Sequence, residues 1–224
     1  LMLRNSNWEI KPVLTTLLKS EHFFDPLNQG CLIKSPVDFV TGLCREFDVP
    51  LPDSADYMTW YSTLDGLLYQ LELLQQSPGD PPSVSGWPAY YQIPLFHELW
   101  INNDTYPRRT QFTDIMVYNG FMRLGFELKI DSIAFAKSLS NPGDPNALVN
   151  DSLSILYRIS LSDTAKEQLK RDILLTGQTN DYYWTNAWNA YIANPGDMMA
   201  YQTIYTRLSE LYRYLLALPE YQLS

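Results

Sequence analysis

Histidine and cysteine are nearly missing from this sequence: its 224 residues contain two of each. His22 and His97 stand without a second His four residues on, so the helical zinc-protease pattern is excluded. No other zinc-ligand spacing occurs, and no metal or other cofactor is expected. Cys31 and Cys44 are too few for a disulfide framework. They either form one bridge or stay reduced; Cys44 lies on an apolar helical stripe, where a buried, inert thiol is the simpler reading. Glycine is scarce at 10 residues, which disfavours turn-rich sheet. Charged residues are scarce too, 18% against an average of about 25%, and with 46% hydrophobic residues disorder is excluded for most of the length. No apolar run approaches the roughly 18 residues of a membrane span. Gly-x-Ser-x-Gly, phosphate-cradling glycine loops and EF-hand spacings are absent. Basic residues number 16 against 25 acidic, a net charge of −9. The nearest thing to a basic stripe is Lys166, Lys170 and Arg171, interleaved with Glu167 and Asp172, so no nucleic-acid partner is expected. The start, Leu1-Met2-Leu3-Arg4, lacks the pattern of a signal peptide and reads as an interior piece of a longer chain.

What is present is helix after helix. Val13, Leu14, Leu17 and Leu18 make a short apolar face, followed by a turn at 25–30. Ser35-Pro36-Val37-Asp38 is a helix start: Ser35 caps, Pro36 takes the first helical position and Asp38 sits near the positive dipole end. Residues 54–76 predict a long helix with Tyr57, Trp60, Tyr61, Leu64, Leu67, Leu68, Leu71 and Leu74 on one face. Pro78-Gly79-Asp80-Pro81-Pro82 stops it and opens a long loop that runs through Pro88. A short helix over 94–101 and another over 108–118 are expected next. Residues 124–130 alternate apolar and polar, hence a short extended segment, which pairs as a hairpin only if Ile115–Tyr118 lies across Asn119-Gly120 from it. Helical stripes then cover 131–139, 146–159, 163–175, 181–193 and 198–218. Pro142-Gly143-Asp144 and Pro195-Gly196-Asp197 each put a turn before an Asp cap. The expectation is a single all-α domain over 1–224, an irregular bundle of about nine to ten helices, with one long Pro-rich loop and at most a short hairpin.

Aromatic residues are the unusual excess, 14% of the chain. Trp184, Trp188 and Tyr191 recur at helical spacing, which favours core packing over sugar stacking. Pro81, Pro82, Gly86, Trp87, Tyr90 and Tyr91 lie off any stripe and form the candidate ligand-binding loop. Trp87 either anchors the loop, mostly buried against the 57–74 helix or its neighbours, or stands in a cleft with Tyr90 or Tyr91 and contacts a ligand. Paired carboxylates for glycoside hydrolysis cannot be singled out among 25 acidic residues, and no catalytic residue is assigned.

Three stretches carry a resemblance. Glu21-His22-Phe23-Phe24-Asp25 with Ile33-Lys34-Ser35-Pro36-Val37-Asp38-Phe39-Val40, the loop Pro81-Pro82-Ser83-Val84-Ser85-Gly86-Trp87-Pro88, and the closing Pro219-Glu220-Tyr221-Gln222-Leu223 together resemble a bacterial family known as domain of unknown function 1800. The resemblance covers essentially the whole chain. It implies the C-terminal part of a longer protein, exported to the periplasm or surface of a Gram-negative cell, and it carries no established activity. The expected role is a non-catalytic helical module, binding or assembling with another envelope protein or a glycan. The alternative is part of a carbohydrate-processing or other envelope enzyme whose catalytic residues lie partly outside this chain. If helices normally precede Leu1, apolar surface around Trp8 and the Val13–Leu18 face is left open, or is covered by a second copy of the chain.

Overall fold

Side-chain caps set where the helices begin. The computed structural model describes residues 2–87 and 97–224. Helices α1 (Met2–Asn5) and α2 (Ile10–Leu18) are followed by 3-10 turns at Glu21–Phe24 and Pro26–Asn28. Ser35 then caps α3 (Pro36–Glu46), its hydroxyl accepting from the Asp38 N–H, and Asp56 caps α4 (Tyr57–Leu73) through the Thr59 N–H. A 3-10 turn at Glu98–Trp100 leads into α5 (Thr105–Tyr118). After the strands β1 (Phe121–Arg123) and β2 (Phe126–Leu128), Asp131 caps α6 (Ser132–Ser138) and Asp144 caps α7 (Pro145–Leu156). Ser162 caps α8 (Asp163–Gln168), which widens into a π turn over Leu169–Leu174. Helix α9 (Tyr182–Ala193) follows, and Asp197 caps α10 (Met198–Ala217), whose chain closes in a 3-10 turn at Pro219–Gln222. Helix accounts for 62% of the chain, with one two-stranded sheet among the described residues.

Helix α10 is the axis of the core. It packs against α5, α6, α9 and the π turn. Its i, i+3, i+4 stripe explains this: Ile204, Leu208, Leu211, Tyr212, Leu215 and Leu216 are all fully buried. The Tyr212 ring meets Phe47 and Phe135 edge-on, at 5.5 and 5.1 Å between centroids. The aromatic stripe of α9 is core as well. Trp184 stacks on Trp188 at 5.8 Å, and its indole N–H donates to the Pro142 carbonyl at 2.8 Å, tying α9 to the turn that opens α7.

The hairpin falls elsewhere than the alternation suggested. β1 pairs antiparallel with β2, placing Phe121 opposite Leu128 and Arg123 opposite Phe126. The residues between the strands, Leu124 and Gly125, have φ of 46° and 85°. Positive values at both positions are what a two-residue primed turn needs. Ile115–Tyr118 stays inside α5 instead. Gly120, at φ 68°, ends that helix by donating its N–H to the Ile115 carbonyl at 2.7 Å. Both thiols are free: Cys31 is exposed and Cys44 half-buried.

Candidate functional site

The loop singled out in the sequence folds back on itself. The Gly86 N–H donates to the Ser83 carbonyl at 2.9 Å, and the Ser83 hydroxyl donates to the Gly86 carbonyl at 3.0 Å. Gly86 has φ 91°, a conformation open to glycine at little cost. Pro81, Pro82 and Val84 are exposed. Pro88, Tyr90 and Tyr91 lie outside the described residues. Trp87 is half-buried, and its ring faces the fully buried Trp100 at 6.4 Å, with a 56° tilt. Its ring partner is therefore the 3-10 turn before α5, and part of the residue stays open to water. Trp87→Ala is accordingly expected to cost about 1–2 kcal/mol, below the ~3–5 kcal/mol of a fully buried indole. Thermal melts of the two proteins measure the difference; a loss near the upper figure would restore the full-anchor reading.

Two of the family-like stretches, far apart in sequence, meet in space. The Lys34 N–H donates to the Gln222 carbonyl at 2.7 Å, Ile33 forms a β-bridge with Leu223, and the Ser224 N–H donates to the Leu32 carbonyl. Beneath this seam the Lys34 ammonium lies 3.7 Å from Glu46 and 3.8 Å above the Tyr221 ring. The Tyr221 hydroxyl donates to Glu46 Oε2 at 2.9 Å. Arg109, fully buried on α5, donates to the Lys34 carbonyl at 2.8 Å and to Gln222 Oε1 at 3.2 Å. Burial pushes the Lys34 ammonium below its ordinary value and Arg109 down to about 10. These groups spend their charge and hydrogen bonds on one another and on the backbone, so the ions act as architecture.

A second charged cluster is also structural. Lys170 donates to Glu167 at 2.8 Å, Asp181 at 3.1 Å and Asn146 Oδ1 at 2.9 Å. That uses all three ammonium hydrogens and leaves nothing for a phosphate. A third cluster faces a groove. On α5, Asp114 lines an open depression of about 480 Å³ with Tyr106, Thr110 and Tyr118. Its Oδ1 is buried and has no hydrogen-bond partner, and burial pushes the carboxyl up. Behind it, Glu210 accepts from the Tyr118 hydroxyl and pairs with Arg213 at 3.2 Å. Sequence reasoning did not find Asp114, because a single Asp inside a helix has no spacing signature. Among the described residues no group of three or more His, Cys, Asp or Glu could hold a metal ion.

Several open surfaces among the described residues are apolar. Neither α1 nor α2 buries a residue. Trp8 is 65% exposed, and Leu14, Leu17 and Leu18 also face water. On α4 the apolar stripe is fully buried only at its end, at Leu71 and Leu74. At its start Tyr57 is 64% and Tyr61 67% exposed. With Met58, Leu64 and Leu124 they line an open groove of about 790 Å³. In the first turns the covered side is that of Thr59 and Thr63, and no described element covers the side of Tyr57, Tyr61 and Leu64.

These features define a mostly helical fold, closed by a buried ionic seam and carrying open apolar faces. The family model described as Protein of unknown function (DUF1800) matches residues 2–223. The chain belongs to that family. No curated protein and no solved structure matches it.

Proposed function

We propose that this domain is a non-catalytic binding or assembly module of an exported cell-envelope protein, and that it docks on a protein partner through the apolar surfaces of α2 and the first half of α4. One observation carries this reading: large apolar side chains that follow a helical stripe stand in water at Tyr57, Tyr61 and Leu64. Soluble monomers seldom leave extensive contiguous apolar surface open, and such surfaces mark interaction sites. Export and membership of a longer parent protein are supported by the sequence resemblance alone. A glycan stacked on the Tyr57 and Tyr61 rings is the competing occupant.

The test is the double substitution Tyr57→Glu with Tyr61→Glu. The wild-type chain is expected to self-associate or bind a hydrophobic dye, and the variant to lose most of that signal. Because both side chains are exposed, melting should move by no more than about 2 °C. A monodisperse wild-type monomer that binds no dye would overturn the proposal.

An enzymatic reading has one observation in its favour. Asp114 and Glu210 are two carboxylates in different surroundings, one pushed up by burial and one pinned by Arg213 and Tyr118. A carboxyl pushed up by burial suits a general acid. It would reveal itself as glycan turnover that Asp114→Asn abolishes and the Tyr57/Tyr61 variant keeps.

A further inference from the structure

The closing stretch Pro219-Glu220-Tyr221-Gln222 is almost wholly consumed by the fold. Pro219 starts the 3-10 turn, Tyr221 holds Glu46, and Gln222 accepts from Arg109. Glu220 alone has no such employment. Its side chain lines a cleft of about 320 Å³ between α8, the π turn and the end of α10. Its Oε2 is buried without a hydrogen-bond partner. Among the described residues no Lys or Arg pairs with it. The residue as a whole is half-buried, so the carboxylate stands at the cleft wall without a paired cation, and a cation entering the cleft would supply one.

The opposite walls are apolar. Leu161, Leu169, Ile173 and Leu218 provide them. Leu169 and Ile173 belong to the π turn, together with Asp172, which also lines the cleft and is held by Arg171 at 2.9 Å. The wider π turn is rare and recurs at functional sites, because the extra residue re-aims the side chains of one helical turn. Here it sets an aliphatic wall and a carboxylate in the same cleft. The volume is at the lower bound of small-molecule pockets, which begin at about 300 Å³, so the occupant is small. The net charge of −9 attracts cations to the whole surface.

We propose that this cleft binds a primary ammonium or guanidinium group carried on a short aliphatic stem, with Glu220 as partner of the cation and Leu169, Ile173 and Leu218 as the wall along the stem. The chemistry is that of a free aliphatic diamine or of a lysine or arginine side chain presented by another protein. The site is separate from the α2 and α4 faces and does not rest on the assembly reading.

Calorimetric titration of the 224-residue chain tests it. The probes are cadaverine and agmatine for the free amine, and the N-acetyl amides of lysine and arginine for the side chain. 1-Pentanol is the neutral control. Saturable binding of either cationic class is expected, and the class that binds names the source. Glu220→Gln should weaken it at least about tenfold while thermal melting stays at or above the wild-type value, since an unpaired charge has been removed. Ala165→Trp, which fills the cleft from its α8 wall and leaves Glu220 in place, should abolish binding as well. Equal affinity in Glu220→Gln, equal binding of 1-pentanol, or no binding of any cation up to about 10 mM would each overturn the proposal.

Discussion

Tyr221→Ala is expected to destabilise the domain by about 5 kcal/mol, the largest effect of any single substitution considered. The ring is fully buried, 5.8 Å from Phe39 and 6.4 Å from Tyr157 between centroids. Truncation leaves a cavity whose walls, including Phe39 and Tyr157, are themselves buried in the core, so little collapse can fill it. It also strips Lys34 of the ring beneath its ammonium and Glu46 of a hydrogen-bond donor. Both groups are largely buried and cannot turn to water instead. Tyr221→Phe keeps the ring and loses only the hydroxyl, so it should cost about 1–2 kcal/mol. For a chain of this size the alanine variant should melt roughly 10–20 °C lower. A fall of less than about 3 °C would mean that the seam between the 32–34 segment and the C-terminal turn contributes little.

The second large effect is alkaline unfolding. Burial raises the phenols of Tyr157, Tyr212 and Tyr221 well above their ordinary value near 10. The folded chain therefore keeps protons that the unfolded chain loses once the pH exceeds about 10, and stability falls as pH rises. Each phenol removes about 1.4 kcal/mol by pH 11, so the three together remove about 4 kcal/mol. Cys44, whose thiol burial pushes up to about 11, adds about 2 kcal/mol to the loss between pH 9 and 11. Arg109 acts in the opposite sense. Its guanidinium, pushed down to about 10, gives up its proton first in the folded state and returns about 1 kcal/mol by pH 11. Lys34, also pushed below its ordinary value, opposes the loss in the same way, and a net loss of several kcal/mol is comparable with the whole stability of many domains. Denaturant unfolding at pH 8 and pH 11 should show it. Equal midpoints at the two pH values would mean that the three phenols titrate freely in the folded chain.

The helices were legible because their starts carry chemistry. Ser35-Pro36, Pro142-Gly143-Asp144 and Pro195-Gly196-Asp197 all cap where the spacing places them. The α10 stripe was legible for the same kind of reason, since burial on one side leaves a 3.6-residue period. Periodicity reports that a face is apolar and is silent on whether anything covers it. Tyr57 and Tyr61 therefore looked the same in sequence as Leu71 and Leu74, which are buried. The turn at Leu124-Gly125 was hidden because a leucine with positive φ has no local signal, whereas Asn119-Gly120 has a strong one and spends it on ending α5. Of the candidate loop, the glycine turn and Trp87 can be placed, while Tyr90 and Tyr91 fall outside the described residues. Asp114 and Glu220 depend on burial and on missing partners, which are properties of space and leave no trace in spacing.

The seam that joins Lys34 to Gln222 also governs the order in which this domain can assemble. Tyr221 and Glu46 are 175 residues apart in the chain, and Ser224 and Leu32 are 192 apart. Contacts of that separation form late, since the entropy of closing a long loop is spent before any contact repays it. During synthesis, α3 and α5 emerge long before the turn at Pro219–Gln222. Until that turn arrives, Lys34 and Arg109 lack the ring and the amide they need, and a nascent chain cannot bury them at an acceptable free energy. The core thus completes only after the turn at Pro219–Gln222 is free to dock, and the earlier helices stay loosely associated until then.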